Sequence, residues 1–378
     1  MDFSLSQEQE MFRSSVRKFL DANGQTNIAR EVIKNNFKPY KKAITGLSEL
    51  GCTGITISEN YEGAELGSLD LVPVLEELGR SLLPGIYLET VTLAVPLIEK
   101  YGTDQQKQKY LPQIASGSRT ITLAWLEPKR GYSPEDVCVT AQIKDESIVI
   151  NGVKALVPEG ETADTFMVLV RSEEGENGEG ISLVLVDRTE NHLDIRKQKC
   201  LDETLQLAEI TFENITVSKD QVLGTIHQGW SVVQEGLLHV NAALCSVMVG
   251  GMDRLVEMTA EYANIRVQFG QPIGRFQAIK HRIADMKTDL ETARSLSYYA
   301  NWALESNASD REAAIFSARA FISEAYIRNA SHSIQIHGGI GFTEELDCQL
   351  YLKRARYYES YLGSPREYRE KAACALDW

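Results

Sequence analysis

The chain has 378 residues, of which 43% are apolar and 24% charged. Those are the proportions of an ordinary globular protein, and they exclude intrinsic disorder and fibrous architecture. Lys and Arg total 39 against 53 Asp and Glu, a net charge of −14. A surface this acidic repels phosphate backbones, so general binding to nucleic acid or to an anionic membrane is not expected.

The length corresponds to two or three domains. Cysteines stand at 52, 138, 200, 245, 348 and 374. No C-x-x-C pair occurs, so neither a zinc site nor a disulfide framework is expected. The N-terminus (Met-Asp-Phe-Ser-Leu-Ser-Gln-Glu) is polar and acidic, unlike a signal peptide. No uninterrupted apolar run approaches the roughly 20 residues of a membrane span. The expectation is a reduced, cytoplasmic protein without a metal.

In chain order, residues 5–22 have Phe12, Val16, Phe19 and Leu20 at helical spacing, with Ser6 ahead as a cap. Helical patterns follow at 41–51, 67–81, 86–100 and 104–115, with a loop at 57–66, so residues 1–117 read as an all-helical domain. The texture then turns to strands: 120–126, 137–143, 165–170, 181–186 and 207–217. Asn151-Gly152 between β-prone runs predicts a hairpin turn. Residues 118–225 therefore read as a small β-barrel or sandwich. Helical periodicity returns at 229–262, 276–305, 310–336 and 343–376, a four-helix bundle over 226–378. The fold class is α+β.

Two stretches carry chemical information. Arg266-Val-Gln-Phe-Gly-Gln-Pro-Ile-Gly-Arg-Phe-Gln277 reads as a helix end, a glycine turn and a helix start, and its arginine can meet an anion beside free amides. Gln335-Ile-His-Gly-Gly-Ile-Gly-Phe342 puts three glycines after a helix, allowing close backbone approach to a flat or phosphorylated ligand. Standing alone, each would more simply be a helix cap and turn. Neither follows a strand, so the dinucleotide-binding reading fails.

Together with Tyr101-Gly-Thr-Asp-Gln-Gln-Lys-Gln-Lys-Tyr-Leu-Pro112 and Ile150-Asn-Gly-Val-Lys154, these stretches resemble the acyl-CoA dehydrogenase family over nearly the whole chain. The resemblance implies a helical domain, a β-barrel and a helical bundle; FAD as cofactor; an acyl-CoA thioester as substrate; a tetramer; and an electron-transferring flavoprotein as acceptor. It implies that a buried glutamate takes the α proton while the β hydrogen leaves as hydride to the flavin, chemistry that no side chain alone can supply. It also implies that Arg266, Gln268, Phe269, Gln277, Gln335, Gly338 and Gly339 meet the adenine and pyrophosphate end of a neighbouring subunit's flavin. Ser364 keeps a hydroxyl in the chain's own flavin and substrate half.

Against the family pattern the chain departs at the chemistry itself. The usual base falls on Leu362, which cannot accept a proton. The alternative base position on the first bundle helix is Val240, followed by Asn241 where such relatives carry an arginine. A Thr-Glu-Pro stretch reads Leu126-Glu-Pro, with Tyr132 at a small-residue position, and a Trp-x-Thr reads Leu156-Val-Pro158. Three readings stay open. The chain completes the flavin site of a different, catalytic subunit in a mixed tetramer. Or it is a self-sufficient homotetrameric dehydrogenase with its base relocated to Glu235, His239 or Glu359. Or it is a non-catalytic acyl-CoA-binding scaffold.

Overall fold

The structure, a computed structural model, describes residues 5–190 and 193–378. Helix α1 (Gln7–Ala22) starts in a capping box, the Ser6 hydroxyl accepting the Gln9 amide while the Gln9 side chain accepts the Ser6 amide. Next come α2 (Asn27–Ile33), α3 (Lys38–Glu49) and α4 (Ser68–Arg80). A continuous helical run follows, made of α5 (Tyr87–Glu89), a π turn at Thr90–Ala94 and α6 (Val95–Tyr101). It leads to α7 (Asp104–Ala115), capped by Thr103 and Gln106. The strands are β1 (Ile121–Ala124), β2 (Thr140–Lys144), β3 (Ser147–Pro158), β4 (Thr165–Arg171), β5 (Ile181–Asp187), β6 (Asp194–Gln198) and β7 (Leu207–Ser218). Then come α8 (Gly229–Ile265), the two-residue strands β8 (Val267–Gln268) and β9 (Gln271–Pro272), α9 (Gln277–Glu305), α10 (Arg311–His337), α11 (Cys348–Ser360) and α12 (Pro365–Ala375).

Several expectations are corrected. Asn151-Gly152 is not a hairpin turn. Strand β3 runs straight through it, paired with β7 on both sides, and the register slips by a bulge between Ile150 and Gly152. Gly152 takes φ +142°, and a side chain there would strike Val139. The Asn151 side chain accepts the Asn214 amide at 2.8 Å across the bulge. The turn itself lies at Asp145-Glu146, between β2 and β3. Helix α2 and strand β6 went unread because both are short; β6 (Asp-Ile-Arg-Lys-Gln) is a polar edge strand with little apolar alternation. The terminal helical stretch is two helices, broken at residues 361–364.

Backbone contacts divide the chain into two units. One comprises 41–66 and 84–240 and holds the main sheet. Its strands run β1-β4-β2-β3-β7-β6, with β5 beside β4. Residues from nearly the full order, such as Ala124, Ile148, Phe166, Val186 and Phe212, share one buried apolar cluster. Strands at both ends of an order can feed one core only if the sheet wraps around it, as in a small barrel.

The other unit comprises 1–40, 67–83 and 241–378. Here α1, α4, α8 and α9 meet across an ion-pair network. Arg13 reaches Glu76 at 2.8 Å and Glu77 at 3.0 Å, Arg17 reaches Glu77 at 2.6 Å, and Arg294 reaches Asp253 at 3.2 Å. By length and composition α8 could cross a membrane, but most of its apolar window is buried inside the protein.

Glu76 is buried in this network, and burial pushes its carboxyl up to about 7 against the pull of Arg13 and Arg294, with Asp253 and Glu77 adding to the rise. The folded protein therefore binds this proton more tightly than the unfolded chain, whose glutamate titrates near 4.5. The stabilisation is complete below that value and is lost as pH rises through 7. Thermal midpoints should fall between pH 5 and 7.5, and Glu76→Gln should flatten that slope. An unchanged slope in the variant would remove Glu76 as its source.

Candidate functional site

The first functional stretch is a projecting hairpin. Helix α8 ends where the Arg266 amide donates to Tyr262 at 2.9 Å, and the Ile273 amide closes the loop onto the Arg266 carbonyl at 2.8 Å. Val267 pairs with Pro272 and Gln268 with Gln271, leaving Phe269-Gly270 as a two-residue turn. Both take positive φ, 51° and 78°, as the tight hairpin turn that matches strand twist requires. Glycine does this freely, whereas phenylalanine does so at a cost. Yet Phe269 is 92% exposed, touching Phe276 edge-on at 6.0 Å. Arg266, Gln268 and Gln277 are exposed as well.

The second stretch starts from a neighbouring helix end. Tyr262 near the end of α8 stacks on His337 at the end of α10, with centroids 4.3 Å apart. His337 is buried; its Nδ1 lies 2.8 Å from the Ser333 carbonyl and 3.5 Å from the Cys348 sulfur, and burial holds its pKa below the usual imidazole value. It is a packing residue that joins the two stretches. Beyond it Gln335, Gly338 and Gly339 are exposed, and side chains added at the two glycines would meet open space. Phe342, Val267 and Ile265 are large apolar side chains left exposed nearby in the sequence. The seven residues expected at the nucleotide end of a neighbour's flavin are thus all on the surface of this unit.

Position 362 is built differently. Leu362 is 3% exposed and takes φ +61°, a conformation costly for a branched side chain. Side chains from α10 and α12 clamp the turn. The Tyr368 hydroxyl donates to the Leu362 carbonyl at 2.7 Å, and Arg319 Nη2 donates to the Tyr361 carbonyl at 3.0 Å. Ser364 is the N-cap of α12, its hydroxyl donating to Glu367 at 2.7 Å and accepting the Glu367 amide. Val240 and Asn241 are both buried, and Asn241 Oδ1 accepts from Arg319 Nε at 3.0 Å.

Of the alternative bases, Glu235 is ion-paired with Lys100 at 2.8 Å and Glu359 with Arg356 at 2.9 Å. His239 is half-buried on α8.

In the other unit, the segment after β1 is anchored from within. Lys154, fully buried, donates to the Trp125 carbonyl at 3.0 Å and to Glu127 Oε1 at 2.8 Å. The same Glu127 oxygen accepts the amides of Cys138 and Val139, each at 2.9 Å. Burial pulls the Lys154 ammonium down to about 8, with Glu127 opposing. Among the described residues the Trp125 indole N–H has no conventional acceptor, but the rings of Tyr132 and Trp230 stand perpendicular to the indole at 5.2 and 5.5 Å, an arrangement suited to N–H···π contact. Leu156 is 43% exposed at φ +52°, its amide taken by Gln198 at 2.6 Å.

FAD needs hydrogen-bond donors and a close backbone approach, and the two units differ in what they offer. The open glycines and exposed Arg266 and Gln268 fit a nucleotide and its phosphates. Leu126, Leu156 and Pro158 offer no side-chain donor to a flavin ring, and the Leu156 amide is already engaged. Sequence reasoning missed Arg319 and the Lys154–Glu127 pair. The one visible signal was a charge within an apolar helical run, as in Phe316-Ser-Ala-Arg319-Ala-Phe-Ile322.

A helical N-terminal segment, a wrapped sheet and a terminal bundle carrying both motifs define a class of flavin-dependent dehydrogenases. The chain matches the family descriptions "Acyl-CoA dehydrogenase, N-terminal domain" over residues 6–118, "middle domain" over 122–215 and "C-terminal domain" over 227–370. It is 30% identical to the mitochondrial isovaleryl-CoA dehydrogenase of Solanum tuberosum, over 94% of this chain and 87% of that one. It is 29% identical to L-prolyl-[peptidyl-carrier protein] dehydrogenase of a Serratia species, over 93% and 92%. The solved FAD complex of PigA superimposes with a TM-score of 0.91 at 27% identity, covering 100% and 99% of the two chains. The chain belongs to the acyl-CoA dehydrogenase family of oxidoreductases.

Proposed function

We propose that this chain takes part in FAD-dependent oxidation of an acyl thioester as the subunit that completes the nucleotide end of a flavin site on a related, base-bearing subunit. The observation that supports this most is a split. The residues suited to a neighbour's flavin are ready and exposed, whereas position 362 is a buried leucine. FAD, when bound, supplies the hydride acceptor. This chain's contribution is binding. Arg266 and Gln268 meet phosphate oxygens, and Gly338 and Gly339 let backbone amides approach them. The assembly is a mixed tetramer, its electrons passing to an electron-transferring flavoprotein. Glu235 and Glu359 are each engaged in an ion pair, with Lys100 and Arg356 respectively.

An absorption spectrum with native mass tests this directly. The chain expressed alone should carry little flavin, and co-expression with a family member bearing glutamate at the base position should yield a yellow mixed oligomer. A yellow homotetramer that bleaches with an acyl-CoA would overturn the reading.

A further inference from the structure

Asn-Gly pairs stand at Asn23, Asn151 and Asn177. The dipeptide is chemically labile, because a glycine amide with no side chain beside it can attack the asparagine side-chain carbonyl. A bond forms from the glycine nitrogen to that carbon. The side-chain amide leaves as ammonia, taking the proton the backbone gives up. Water then opens the cyclic imide to aspartate, or to isoaspartate, in which the main chain runs through the side-chain carbon. The sequence does not rank the three sites.

The structure does. Asn23 Nδ2 donates to the Phe19 carbonyl at 2.8 Å, and the Gly24 amide donates to the Asp21 carbonyl at 3.2 Å. Asn151 Oδ1 accepts the Asn214 amide at 2.8 Å, inside strand β3. Each of these must give up a hydrogen bond before it can react. Asn177 is exposed in the connection between β4 and β5, with φ +54°. Among the described residues its side chain and the Gly178 amide take part in no hydrogen bond, so both reacting groups are uncommitted.

Gly178 is itself buried, at φ +92°, and a Cβ there would lie 2.2 Å from Trp230 Cδ1. Trp230, at the start of α8, meets Trp125 edge-on at 5.5 Å, and Lys154 holds the Trp125 carbonyl. Isoaspartate at 177 inserts a backbone carbon directly before this seat, where there is no room for a methyl group. Close-packed contacts transmit such an insertion to their neighbours.

We propose that Asn177-Gly178 is a site of spontaneous modification, converting to isoaspartate as the protein ages, and that the conversion displaces Trp230 from Trp125.

The test is to age the purified full-length chain in warm, mildly alkaline buffer. Peptide mass mapping and methylation by an isoaspartate-specific carboxyl methyltransferase follow the chemistry. Residue 177 should convert at least about five-fold faster than 23 or 151, the factor that goes with releasing a single net hydrogen bond. Tryptophan emission should shift as isoaspartate accumulates. Asn177→Gln, whose longer side chain closes the ring far more slowly, should lose both changes. Freshly purified Asn177→Asp, which adds the charge without lengthening the backbone, should keep the emission of unaged wild type. Conversion at 23 or 151 as fast as at 177 would overturn the site. Conversion at 177 with constant emission, or an emission shift already present in Asn177→Asp, would overturn the displacement of Trp230.

Discussion

Replacing Arg266 by alanine should strip flavin from whatever assembly holds it. Arg266 is exposed at the foot of the hairpin, and its backbone, not its side chain, closes the loop through Tyr262 and Ile273. Substitutions of exposed side chains away from such features leave stability nearly unchanged, within about 0.5 kcal/mol. A charge-assisted bond to phosphate contributes roughly 1.5–3 kcal/mol. The expected result is therefore a loss of affinity for FAD of about ten-fold to a hundred-fold with an unaltered thermal midpoint of the apoprotein. Flavin released on dialysis, measured by fluorescence, reads the effect. Wild-type retention in Arg266→Ala would remove the arginine from the cofactor site and take away the main support for a subunit-bridging role.

Lys154→Met should cause the largest loss of stability. The ammonium is fully buried between the Trp125 carbonyl and Glu127, and methionine fills similar space without a charge. What remains among the described residues is a buried carboxylate held by the Cys138 and Val139 amides. It also leaves the Trp125 carbonyl without the lysine donor. Breaking one side of a buried ion pair typically costs about 3–5 kcal/mol. The double variant Glu127→Gln with Lys154→Met should regain much of that, because the orphaned charge disappears with its partner. Urea midpoints for the set separate these outcomes, and a loss below about 1 kcal/mol in the single variant would show the pair to be dispensable. Tryptophan emission should shift too, since Trp125 is the residue whose backbone the lysine holds and whose ring meets Trp230.

Much of the architecture was legible because its signals are local. Periodicity placed the long helices of the bundle within a few residues, and the Ser6 and Thr103 caps are visible as residue types. The hairpin expected at Asn151-Gly152 was a misreading with a physical cause. The same dipeptide that favours a two-residue turn also suits a bulge, and only pairing with β7, a strand distant in sequence, decides between them. Polar, short elements such as β6 have no apolar pattern to read.

By itself the sequence determined the family and the surface that faces outward. Arg266, Gln268, Phe269, Gly338 and Gly339 stand exposed, and what they could offer a ligand is largely a matter of residue type and spacing. It also determined that no acid stands at position 362. Only the tertiary structure decided what stands behind that leucine: a left-handed turn clamped from α10 and α12, and a buried guanidinium whose hydrogen-bond acceptors are neutral groups. A charge in an apolar helical run is visible in a sequence. Whether it is balanced depends on which groups distant segments bring within a few ångströms, and that is settled only when the chain has packed.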